Sequence, residues 1–312
     1  MGKKEGKYDL IIIGGGPAGL IAGLYAVRKG LQTLILAKDF LGQVGRTALV
    51  ENWPGIKKIT GTELIFKFKE QLEEWKPRIS GDEMVILLEK DGDDFLVITN
   101  KKNIFKSKAV IIATGRNPRP LKIPGEKEYI GKGVSYCSTC DGPLFTDKRI
   151  AVIGGGNAAF ETAIEMAERC PQVYLLSRSQ KIIADQVFQK RVADLNNIEV
   201  LLTVEPRKIK GGNFVDSLIY FDKKSGKEKE LKIEGVFIEI GSVPAANFAK
   251  ELVEYNNQGE IIINHHNGAT KTTGLFAAGD VTDIPYKQII IAAGEGAKAA
   301  LTAYNYLTRN EY

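Results

Sequence analysis

The stretch "YDLIIIGGGPAGLIAGLYAVRKGLQTLILAKD" (residues 8–39) decides how the rest of the chain is read. A short apolar run, Leu10 to Ile13, meets three glycines. A segment with apolar residues near a 3.6 period follows, and then a second apolar run. That order is strand, tight turn, helix, strand, the opening unit of a dinucleotide-binding fold. The same order returns at residues 148–179, "KRIAVIGGGNAAFETAIEMAERCPQVYLLSRS".

A single G-x-G-x-x-[GA] match would mean little, since a chain with 33 glycines yields roughly 0.6 of them by chance. Two copies, each following a β run and opening a helix, are much harder to obtain by accident. Gly14 and Gly154 are expected to make the turn. Gly16 and Gly156 would let the backbone approach a pyrophosphate at the helix N-terminus, and Gly19 or Ala159 would set the helix–strand spacing. The fold class expected is α/β, with two Rossmann-like dinucleotide-binding domains of the three-layer ββα type. Two sites imply two nucleotides, and FAD with a nicotinamide dinucleotide is the economical pair.

The end of the second strand of each unit should carry the group that reads the ribose. In the second copy this place is Ser177-Arg178-Ser179. Two hydroxyls flanking a guanidinium suit a 2′-phosphate, so NADPH is expected over NADH, with NADH possible. In the first copy the place is Ala37, and no acid is visible there for the FAD ribose.

The whole-chain totals limit the function classes. At 312 residues the chain has room for about two domains of ~150 residues. A net charge of +5, spread along the chain, argues against a nucleic-acid partner. The basic stretch at 222–232 reads as a hairpin turning at Ser225-Gly226. No apolar run approaches the ~20 residues of a membrane span. The lysine-led start has too short an apolar core for a leader, and Gly6 argues against myristoylation of Gly2. With three cysteines there is no secreted disulfide framework, and a cytoplasmic protein is expected.

Two of those cysteines lie in "SYCSTCDG" (135–142). A Cys-x-x-Cys pair can hold a metal, lock a loop or shuttle electrons. Zinc would need further ligands, and the only candidates are Cys170, read as a small buried apolar residue, and His265-His266, read as surface residues beside an Asn267-Gly268 turn. No metal site is expected.

The double glycine units around this segment, with "ENWPG" (51–55), "ATG" (113–115) and "GLFAAGDV" (274–281), resemble a low-molecular-weight thioredoxin reductase nearly end to end. The tail "PYKQIIIAAGEGAKAALTAYNYL" and "ADQVFQKR" (184–191) are closer to the flavoprotein component of alkyl hydroperoxide reductase, whose N-terminal thioredoxin-like extension is not seen here. The resemblance implies a discontinuous FAD domain, 1–117 and 247–312, with an NADPH domain, 118–246, inserted. FAD would be bound by Gly14, Gly16, Pro17, Ala18, Gly19, Gln43, Asn52, Thr114, Gly115, Gly279, Asp280, Lys287, Gln288 and Ile289, the helix starting near Gln288 aiming at the flavin. NADPH would be bound by Gly154, Gly156, Asn157, Ala158, Glu161, Ser177, Arg178 and Ser179.

By the same resemblance, Cys137 and Cys140 form a redox-active disulfide, Cys140 facing the flavin and Cys137 attacking the partner, with Asp141 as proton donor. Lys132, Leu144 and Phe145 match positions that meet thioredoxin. The implied activity is an FAD-dependent reductase of thioredoxin or a thioredoxin-like protein, working as a homodimer. The alternatives are a peroxide-defence reductase feeding a glutaredoxin-like protein and a peroxiredoxin, and a reductase fed by ferredoxin. Two departures stand out. Ser177-Arg178-Ser179 replaces a His-Arg-Arg cluster, with Ile183 where a further Arg is usual, and Leu41-Gly42-Gln43 replaces Gly-Gly-Gln.

Overall fold

Strand β1 (Glu5–Ile13) is apolar on both faces over its second half, Leu10 to Ile13, because both faces are covered there. In the computed structural model, which describes residues 5–47 and 50–309, Leu10 and Ile12 enter one core with Leu20 and Leu64. Ile11 and Ile13 enter the other with Val85, Leu88 and Phe95. The alternation follows from the two-residue period of a strand. Of the start of the chain weighed above as a leader, residues 1–4, Gly2 among them, lie outside the described residues. After β1 come helix α1 (Pro17–Arg28), β2 (Thr33–Leu36), α2 (Gly61–Glu73), β3 (Arg78–Ser80), β4 (Val85–Asp91), β5 (Asp94–Thr99) and β6 (Ile104–Ile112). Their sheet runs β3-β2-β1-β6-β5-β4, parallel from β3 to β6, with Ile13 opposite Leu36 and Ile112, and ends in the antiparallel pair β5-β4.

The chain divides into two compact units, Met1–Asn117 with Val243–Tyr312, and Pro118–Ser242. It leaves the first through β7 (Arg116–Pro118). The second unit holds β8 (Val134–Ser135), α3 (Ser138–Asp141), β9 (Arg149–Ile153), α4 (Asn157–Ala167), β10 (Gln172–Ser177), α5 (Gln186–Ala193) and β11 (Ile198–Leu202), then β12 (Val204–Gly211), β13 (Val215–Asp222), β14 (Lys227–Lys232) and β15 (Gly235–Ile238). A parallel sheet, β11-β10-β9-β15-β8, is covered on one face by helices and on the other by the antiparallel β12-β13-β14. Again one strand serves both layers: Ile150 and Val152 face Phe160, while Ala151 and Ile153 face Ile209 and Leu218. The hairpin read at 222–232 is present, with Asp222 opposite Lys227 and Gly226 at φ 67°. The α/β fold with two Rossmann-like units is therefore the fold observed.

The chain re-enters the first unit through β16 (Ser242–Pro244), then adds β17 (Leu275–Ala277) beside β6 and the 21-residue α6 (Ile289–Arg309). Residues 243–246, assigned by the sequence reading to the inserted segment, pack with the first unit instead. Ala246 is buried beside Ala249 and Val253, and Ala245 N–H donates to Gly115 O at 3.1 Å while its carbonyl accepts from Thr114 Oγ1 at 2.6 Å. Helices α1 and α6 meet nearly backbone to backbone: a Cβ on Gly296 would lie 2.1 Å from Ala18 O, which explains the small residues of the tail. Among the described residues no helix is long and apolar enough to cross a membrane.

Glu83 is a buried carboxylate of the first unit that the sequence reading did not single out. Burial works to raise its carboxyl, but donors from Ser80, Asn103 and Thr99 outweigh that and hold it below the ordinary value. Because the folded state lowers this group, its contribution is complete above the unfolded value near ~4.3 and is lost as pH falls through the folded one. Glu83→Ala removes the acceptor of three donors, of which Thr99 and Asn103 are buried, and should cost about 2–4 kcal/mol in urea melts at pH 7. The deficit should shrink as the pH is lowered toward 3.

Candidate functional site

The first glycine turn borders a cleft of about 630 Å³ within the first unit, a volume in the range of small-molecule and cofactor sites. Gly14 has φ 125°, and a Cβ there would lie 2.1 Å from Ala113 O; one on Gly19 would lie 2.0 Å from Gly14 O. These two glycines let α1 and the strand end touch. Gly16 differs, since nothing lies within 4 Å of where its Cβ would be. Its backbone faces open space at the N-terminus of α1, whose first turn carries no acid to repel a phosphate. The cleft wall brings together all the residues expected to hold FAD except Gly19, Asn52 and Gly279. Gly279 sits behind the wall against Ala18. Asn52 reaches the site through a 3.2 Å bond from its amide to Gln288 Oε1.

The wall also carries Lys38, Asp39, Glu83 and Arg116, which the sequence reading missed. Asp39, two residues beyond Ala37, is the acid at the end of β2; its Oδ1 accepts from the N–H groups of Leu41 and Gly42. Behind the wall, buried Glu260 pairs with Arg116 at 2.8 Å and Lys287 at 3.0 Å. Burial works to raise the Glu260 carboxyl, but Asn256, Lys287 and Arg116 hold it below its usual value. Asp280 shows the reverse: burial raises its carboxyl against the pull of Lys287 and Arg116. Among the described residues nothing donates a hydrogen bond to the Asp280 carboxylate, so both oxygens are available to hydroxyl groups of a bound molecule. Cradle, helix N-terminus and acceptor together fit FAD.

The second unit repeats the turn. A Cβ on Gly154 (φ 158°) would lie 2.2 Å from Glu239 O, whereas Gly156 has only Ile183 near its open side, at 3.9 Å. Asn157 and Ala158 are exposed in the first turn of α4, Asn157 bonded reciprocally to Asp185. Glu161 is exposed on the same helix, its carboxyl raised by partial burial and then by Asp185. The ribose end departs from expectation. Ser177 is buried under Gly155, its Oγ accepting from Ser179 N–H, and Ser179 Oγ accepts from Lys181 N–H. These hydroxyls stabilise their own turn. Arg178 alone of the three presents an exposed cation.

Cys137 and Cys140 are joined as a disulfide with Cα atoms 5.4 Å apart. Cys137 is 7% exposed and Cys140 is exposed. Cys137 Sγ accepts from Cys140 N–H at 3.1 Å. Asp141 Oδ2 accepts from Ser135 Oγ at 2.6 Å, and Ser135 Oγ in turn accepts from Cys137 N–H. The three residues expected to do the chemistry are thus tied into one short segment. Cys170 is buried, its thiol pushed up to about 11 by that burial. Of the residues matched to partner docking, Lys132 and Leu144 are exposed, Leu144 at 69%. Phe145 is not: it is core, edge-on to Phe237 with ring centroids 4.9 Å apart. Consecutive residues of a short 3-10 turn point to different sides, which a reading of adjacent apolar residues cannot separate.

Fold and site define a protein with two dinucleotide-binding units and a Cys-x-x-Cys disulfide in the second. The chain belongs to the pyridine nucleotide-disulphide oxidoreductases, whose family profile matches residues 8–301. This family works with FAD and a nicotinamide dinucleotide. Among curated proteins it is 42% identical over 303 residues to an NADH dehydrogenase of Bacillus subtilis, covering 97% of this chain and 59% of that one. It is 40% identical over 312 residues to the F component of alkyl hydroperoxide reductase of Escherichia coli, covering 99% and 60%. The chain therefore spans about three-fifths of the length of these relatives. Among solved structures, thioredoxin reductase of Lactococcus lactis is similar with a TM-score of 0.88, 38% identity and coverage of 97% and 99%. That of T. acidophilum gives 0.86, 36%, 96% and 98%.

The open side of Gly16 supplies a test of the cleft. Gly16→Val fits the backbone (φ −80°) and should cost about 1 kcal/mol or less as a poorer N-cap. It should nevertheless purify without flavin absorbance. A yellow, flavin-loaded Gly16→Val protein would show that the cleft is not where the dinucleotide lies.

Proposed function

We propose that this chain is an FAD-dependent dithiol–disulfide reductase that passes electrons from NADPH to thioredoxin or a thioredoxin-like protein through Cys137 and Cys140. The observation that carries the reading is the Cys137–Cys140 disulfide with Asp141 bonded beside it, in the unit that bears the second dinucleotide turn. The similarity to thioredoxin reductases along nearly the whole chain supports the same acceptor class. Bound FAD would supply the two-electron step between the nicotinamide and the disulfide.

The residues divide the remaining work. Cys137, once reduced, attacks one sulfur of the acceptor disulfide as a thiolate, forming a mixed disulfide and expelling the other acceptor sulfur. Asp141 carries the proton that this leaving sulfur takes up; one of its oxygens is held by Ser135 and the other is left for proton transfer. Cys140 then attacks Cys137 Sγ, which re-forms the internal disulfide and frees the second acceptor thiol. Two electrons and two protons leave per cycle. The 7% exposure of Cys137 means that its segment must open before a protein can reach the sulfur. Lys132 and Leu144 are the exposed groups we assign to docking.

A second reading draws on the curated relatives, the alkyl hydroperoxide reductase component and the NADH dehydrogenase, which match at 40–42% identity. In it, NADH is the donor and the acceptor is a glutaredoxin-like protein serving a peroxiredoxin. The ribose end bears on the donor. Ser177 is buried and engaged both as donor and as acceptor, so Arg178 and the O–H of exposed Ser179 are the groups left for a 2′-phosphate.

Two experiments test these assignments. Cys137→Ser should still allow anaerobic bleaching of the flavin yet reduce no thioredoxin, while Cys140→Ser should trap a mixed disulfide visible on a non-reducing gel. Acceptor turnover by Cys137→Ser would sink the relay. In stopped-flow reduction, Arg178→Ala should raise the Michaelis constant for NADPH about tenfold more than that for NADH, and Ser177→Ala should change neither. Equal responses to the two donors would remove the 2′-phosphate from the site, and bleaching by NADH alone would favour the peroxide-defence reading.

A further inference from the structure

Two hydroxyl–carboxylate bonds fasten the segment that carries the cysteines, and the relay above uses only one. The first, Ser135 to Asp141, lies within the segment. The second leaves it. Ser138, between the two cysteines and 6% exposed, donates through Oγ to Glu165 Oε2 at 2.6 Å. Thr162 Oγ1, itself buried, points its proton at Ser138 Oγ from 3.4 Å. Thr162 and Glu165 stand three apart on α4 and so share a face. This helix is a firm support: its Phe160, Ala163, Ile164 and Met166 are buried in the core of the second unit. A carboxylate acceptor makes the Ser138 bond one of the stronger side-chain bonds available.

Helix α3, by contrast, is only four residues long and has no stability of its own. While the disulfide is closed, the covalent ring fixes it. Reduction breaks the Sγ–Sγ bond, takes up two electrons and two protons, and removes that constraint. The Ser138–Glu165 bond involves neither sulfur and survives the step. We propose that Glu165 is a positioning residue for the redox pair: acting through Ser138, it holds the reduced segment on α4 with the two sulfurs poised to close, and so sets how strongly the disulfide form is favoured. The physical basis is preorganisation. A tethered segment has less conformational freedom to gain on opening, so the effective concentration of one thiol at the other stays high. The inference rests on the reading that Cys137–Cys140 opens and closes during turnover.

The test is a redox titration of the holoprotein against reduced and oxidised dithiothreitol, with no nucleotide or acceptor present. Each opened disulfide oxidises one dithiothreitol to its cyclic form, and free thiols are counted by iodoacetamide labelling and mass. Buried Cys170, with its raised thiol, serves as the unlabelled internal control. Ser138→Ala and Glu165→Ala should each shift the equilibrium about tenfold toward the dithiol, a potential about 30 mV less negative. Glu165→Gln, whose amide oxygen can still accept from Ser138, should stay close to the wild-type potential. Potentials unchanged in Ser138→Ala and Glu165→Ala, even with lowered melting temperatures, would reduce the bond to a structural one and overturn the proposal. So would a full shift in Glu165→Gln with none in Ser138→Ala, because charge rather than the hydrogen bond would then be responsible. A wild-type dithiol that forms in this titration but reduces no thioredoxin would count against the acceptor assigned above and leave the positioning role standing.

Discussion

Everything in this molecule hangs on the contact between a helix and the end of the strand before it. At Gly14 a side chain would have to occupy the space of the Ala113 carbonyl, and at Gly154 that of Glu239. Only glycine allows strand, turn and helix to close this tightly, and the closure brings the helix N-terminus to the strand end. The buried strands then follow. A parallel sheet is apolar where both its faces are covered, as Leu10 to Ile13 of β1 and Ile150 to Ile153 of β9 are. The small residues of α6 follow too, since Gly296 lets that helix lie on Ala18 immediately behind the turn.

Around this frame, charge is placed with some care. Glu260 bridges Arg116 and Lys287 from behind the cleft wall, which weakens the repulsion between two cations that border the cleft. Asp280 stands on the wall, its oxygens without a donor among the described residues and its carboxyl raised by burial. The carboxylates thus serve different ends. Glu83 and Glu260 are satisfied by protein donors and hold structure, whereas Asp280 receives no side-chain or backbone donor among the described residues. Buried acids that look alike in composition differ only in what faces them.

The segment that carries Cys137 and Cys140 depends on its neighbours for support. Its short helix takes its geometry from the disulfide, from Ser135 with Asp141, and from Glu165 on the neighbouring helix. On the proposed relay this segment opens during turnover, and a segment that opens cannot be held by extensive apolar burial. A few strong polar bonds, which break and re-form at modest cost, suit it better.

What the sequence determined by itself is the fold class, the two glycine turns, the hairpin at Asp222–Lys227 and the pairing potential of Cys137 with Cys140. In each case the constraint is local: a positive φ or a close approach demands glycine, and a period of two or 3.6 records which faces are covered. Of the cleft residues, those of the first glycine turn were legible for the same reason, whereas the others, such as Gln43, Asp280 and Gln288, were named only by resemblance to a family. What only the tertiary structure decided are the relations between distant side chains. Arg116, Glu260 and Lys287 meet across more than half the chain, Glu165 reaches Ser138 from another helix, and Glu83 gathers donors from three segments. No short window contains such a group. The same limit misplaced Phe145 at the surface and credited Ser177 to a phosphate, since burial and an already engaged hydroxyl are properties of the packed chain and not of the residue.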